Sequence, residues 1–146
     1  MDEHRILVVA NQTACGRELL YTVREHVSGR PSAVTLVVPA THPDEMLTWT
    51  DHTSRLAAEQ RLAEAIEHFR QEGIEVDGVV GDANPMLAVG DLLLERSFDE
   101  IILSTFPPGV SRWLKMDLPH RLEKHGLPLT TVVGDRAPVS ARTREP

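Results

Sequence analysis

One cysteine, two tryptophans, one tyrosine and three phenylalanines are all the thiol and aromatic side chains in this 146-residue chain. Cys15 stands alone, so no intrachain disulfide forms, which fits a reducing compartment. None of the seven histidines pairs at His-x-x-x-His spacing or lies beside a cysteine at zinc-like spacing, so no metal site is expected. Lysine is nearly absent: only Lys115 and Lys124 occur, and arginine supplies most of the positive charge, a bias that fits a GC-rich bacterial source. The formal net charge of −7 argues against a nucleic-acid surface, which needs clustered Lys and Arg. No apolar run approaches membrane-spanning length. The opening MDEHRILVVA has two early acids and a short apolar stretch, unlike a signal peptide, and the chain is expected to be soluble and cytoplasmic.

What is present is alternation. Short β-rich runs (RILVVA, AVTLVV, IEVDGVV, EIILS and LTTVV) are separated by stretches of helical period. That succession predicts an α/β domain around a parallel sheet. The runs are nearly continuously apolar, as strands become when helices cover both faces. Leu19, Leu20, Val23 and Val27 form one helical stripe, and Ala58, Leu62, Ile66 and Phe69 a second. Asn84 and Pro85 open a third helix, with Val89, Leu92 and Leu93 on its apolar face. Gly29, Gly73 and Gly126 each close a helix, where a positive φ is required. The domain is expected over 1–133, with a disordered tail over 134–146. Residues 39–54, PATHPDEMLTWTDHTS, read as a long connection of the kind that forms lids or interfaces.

The succession ILVVANQT, VVGDANP, FDEIILST and GVSRWLKMDLPHRLEKHGLPLTTVV resembles the universal stress protein family over nearly everything but the tail. Gly109, Val110, Ser111, Arg112, Leu114, Arg121, Pro128 and Val132 fall into step with the family's last stretch. The resemblance implies a three-layer α/β/α open sandwich, Rossmann-like, with about five parallel strands in order 3-2-1-4-5. Ligands in such sheets bind at the carboxyl ends of the strands, where the order reverses. The crevice candidates are Ala10, Asn11, Gln12 and Thr13 after the first strand; Pro39, Ala40 and Thr41 after the second; and Ser104, Thr105, Gly109, Ser111, Met116 and Asp117 after the fourth.

Nucleotide-binding members of the family carry G-2x-G-9x-G-[ST] after the fourth strand, glycines that let backbone N–H groups approach phosphates. In this chain the upstream glycines are missing from Leu103–Pro107, and Met116-Asp117 occupies the Gly-[Ser/Thr] position. Pro107 and Pro108 remove two donors. Asp117 sets a carboxylate where phosphate would sit, worth about 4 kcal/mol of repulsion at ~4 Å and an effective dielectric of 20; it is also placed to N-cap the next helix. Asn11 stands where nucleotide-binding relatives carry an aspartate. No cofactor is expected, with ATP or AMP held by another geometry as the alternative.

Other candidates have plain structural readings beside them. Cys15 near a helix start is either a thiol activated by the helix dipole or a small apolar residue. Trp49 and Trp113 either border the crevice or pack against the sheet. His42 and His52 share the long connection. Ser104 and Thr105 lack the Gly-x-Ser-x-Gly elbow, so a serine hydrolase is not supported. The last strand, Leu129, Thr130, Thr131, Val132 and Val133, is an edge suited to pairing, and the resemblance implies a homodimer through it. Three functions remain: a non-catalytic binding or signalling module, a nucleotide hydrolase, and a ligand-free subunit contacting an unknown protein.

Overall fold

The computed structural model describes residues 3–41, 51–109 and 111–134, with the backbone alone for Asp51 and His52. Five strands, β1 (His4–Val9), β2 (Ser32–Pro39), β3 (Val76–Gly81), β4 (Glu100–Thr105) and β5 (Leu129–Val133), form one sheet in the order β3-β2-β1-β4-β5. Each pairing between neighbours is parallel. The helices are α1 (Arg17–Val27), α2 (Asp51–Gln71), α3 (Pro85–Glu95), α4 (Arg112–Lys115) and α5 (Leu118–Glu123). Both the parallel sheet expected from alternation and the strand order implied by resemblance are found.

β1 shows why the strands read as unbroken apolar runs. Ile6 and Val8 join the cluster formed with α1 and α2, whereas Leu7 and Val9 join the opposite one with α3, α4 and α5. Because side chains alternate across a strand, a sheet covered on both faces needs an apolar residue at every step. All four are at most 1% exposed, and burying each such side chain is worth about 1.5–3 kcal/mol.

The helix signals hold at the positions read from sequence. Leu19, Leu20, Val23, Ala58, Phe69, Val89 and Leu92 are buried, with Val27, Leu62 and Leu93 packed against the same clusters. The Asn84 side chain accepts the Met86 N–H at 2.9 Å, and Pro85 follows as the first helical residue. Gly29, Gly73 and Gly126 all have positive φ. The connection after β2 is shorter than read: α2 already begins at Asp51, so DHTS belongs to the helix. Its polar first turn hides the start. Trp49, His42, the His52 side chain, Val110 and residues 135–146 lie outside the described residues.

At the amino ends of the strands, β1, β4 and α1 meet on one carboxylate. Glu100, 7% exposed, bonds His4 Nε2 at 2.6 Å and His26 Nδ1 at 2.8 Å. Next to it, the Arg5 N–H donates to Asp99 Oδ2 at 2.8 Å. A buried carboxylate with both oxygens engaged is stable only while its partners stay in place. Replacing Glu100 with alanine strands two imidazoles and is expected to lower stability by about 2–4 kcal/mol. Urea denaturation checks this, and an unchanged midpoint would show that the cluster is held by packing alone.

Candidate functional site

The sheet order reverses between β1 and β4, which both pair centrally yet send the chain to opposite faces: α1 follows β1 on one side, and α4 and α5 follow β4 on the other. In open sheets of this order the carboxyl ends of the two strands at the reversal, here β1 and β4, are where a ligand crevice is expected. Ala10, Thr13, Pro39, Ala40, Ser104, Thr105 and Ser111 are buried around it, Asn11, Thr41 and Met116 are half-buried, and Gln12, Gly109 and Asp117 are exposed.

Most polar side chains at this end of the sheet bond within the protein. Thr13 Oγ1 and Ser104 Oγ lie 2.6 Å apart and bridge the β1 and β4 ends, 91 residues distant in sequence. Thr41 donates its hydroxyl proton to the Ala83 carbonyl at 2.8 Å, and Thr105 donates its own to the Phe106 carbonyl at 2.9 Å. A hydroxyl has one proton, so neither has one left for a phosphate oxygen. Asn11 Nδ2 donates to the Pro39 carbonyl at 2.7 Å, and Asn11 Oδ1 accepts from Arg61 Nη1 at 2.6 Å.

Arg61 was not among the residues read as functional. It sits between Ala58 and Leu62 on α2, and nothing in the local sequence separates it from a solvated helix arginine. Burial strips water from the guanidinium and lowers its pKa, with the nearby Glu64 and Cys15 acting in the opposite direction.

The loop after β4 folds on itself. Gly109 takes φ 89°, and the Ser111 N–H reaches the Pro107 carbonyl at 3.0 Å. Ser111 Oγ then accepts the Leu114 N–H at 3.1 Å, capping α4, a single turn anchored by the buried Trp113. Trp113 therefore belongs to the core, leaving no ring face for a ligand. Met116, too, packs against that core.

Asp117 departs from its expected role. It precedes α5 but makes no side-chain cap, because its backbone lies in the left-handed region at φ 61°, ψ 36°. Helix-capping geometry needs an extended backbone. Among the described residues it is the one non-glycine with positive φ. The left-handed residue thus stands at the Ser/Thr position of the resembled pair, whereas Met116, at its glycine position, has φ −94°.

Cys15 also departs from the activated-thiol reading. It is exposed and precedes Gly16, the N-cap of α1. The atoms packed around its sulfur still remove part of its solvation, which pushes the thiol pKa up; the Glu64 carboxylate raises it further and Arg61 partly opposes both.

No protein-family model matches the chain, and no curated protein sequence matches it. Solved structures do. A universal stress protein from Archaeoglobus fulgidus superposes with a TM-score of 0.61 at 16% identity, over 90% of this chain and 95% of that one. A universal stress protein from the same organism, in complex with dAMP, superposes with a TM-score of 0.64 at 17% identity, over 90% of this chain and 99% of that one. The fold is thus the Rossmann-like α/β fold of universal stress protein structures.

Two expectations follow. Asp117→Gly relieves the left-handed strain and should raise stability by up to about 1 kcal/mol, whereas Asp117→Val should lower it by about 1–2 kcal/mol, both read from urea midpoints. Destabilisation by glycine would mean that the carboxylate makes an interaction of its own. Iodoacetamide should alkylate Cys15 slowly near neutral pH. Glu64→Gln should lower the thiol pKa and speed the reaction, and Arg61→Ala should raise it and slow the reaction; the opposite order would refute the assigned charges.

Proposed function

We propose that this chain is a universal stress protein-like module, cytoplasmic and non-catalytic, that works as a homodimer and does not bind ATP in the manner of the family's nucleotide-binding members. The observation that carries this reading is the internal commitment of polar groups at the crevice. Asn11 uses its acceptor on Arg61 and its amide on Pro39, while Thr41 and Thr105 donate to backbone carbonyls. A nucleotide would find the Thr41 and Thr105 hydroxyl protons already committed and would need phosphate donors from a loop that contains Pro107 and Pro108. Asp117 supports the same view, since it sets an anion where the resembled pattern carries a hydroxyl.

The absence of a catalytic role rests on the same inventory. At the crevice Ser104 is bonded to Thr13, not to a base, and the one thiol has a raised pKa. The domain spans 1–133 on this reading, with 134–146 as a tail.

Homodimerisation is supported by the edge position of β5. Among the described residues it pairs only with β4, and Thr131 and Val133 are exposed, Val133 to 44%. An exposed apolar edge strand is a template for a second copy, and a two-fold axis would close it. A nucleotide-binding alternative has one specific support, the dAMP bound by a structure of the same fold; the Asp117 and Asn11 geometry weighs against it.

Isothermal titration with ATP and AMP in the presence of magnesium decides between the readings. The expected outcome is no heat of binding up to about millimolar nucleotide, and micromolar affinity would overturn it. Analytical ultracentrifugation should give a dimer, with Thr131→Glu/Val133→Glu shifting it to monomer through like-charge repulsion across the paired edge. A monomeric parent would refute the β5 interface.

A further inference from the structure

We draw no further inference here: the strongest candidate, the outer face of α3 on which Leu87 and Leu94 stand exposed, carries none, because nothing in the structure shows what covers it.

Discussion

The pairing of β1 with β4 is the constraint on which the rest depends. It joins a strand near the start of the chain to one that begins at Glu100, and places β1 in the middle of the sheet. Everything between must leave and return, so α1 and α2 take one face and α3 crosses back over the other. The long crossover follows from that return. The pairing is fastened at both ends: His4 and His26 on Glu100 at the amino ends, and Thr13 on Ser104 at the carboxyl ends.

Those two fastenings differ in kind. Glu100 gathers three elements around a charge, so the site tolerates little change. The Thr13–Ser104 contact is neutral and buried, and it ties two strand ends where related sheets leave room for a ligand. Gly134 reinforces it: a Cβ there would stand 3.1 Å from Thr13 Cγ2. The chain end of β5 is therefore packed against the same threonine that closes the crevice floor.

Much of the fold was legible because its signals are local. Continuous apolar runs, the Asn84-Pro85 start and the three helix-closing glycines each act within a few residues. Strand order is not local, and it came from resemblance in the last stretch of sequence. The candidate residues lie after β1, β2 and β4, as the strand pattern implied, but the bonds that they make there could not be read from the sequence. That Asn11 is engaged by Arg61 depends on α2 crossing a strand end 50 residues earlier. Asp117 misled because an aspartate before a helix usually caps it, and only backbone geometry shows the left-handed turn.

The separation of His4 from Glu100 by 96 residues also bears on how the molecule assembles. Contacts within β1, β2 and β3 close shorter loops and become favourable first, while the β4 and β5 segment must dock against a strand formed long before it in the chain. Until that docking, both the crevice side of β1 and its partner edge are open to other chains. A protein built this way is most exposed to mispairing during synthesis, between release of β1 and emergence of β4.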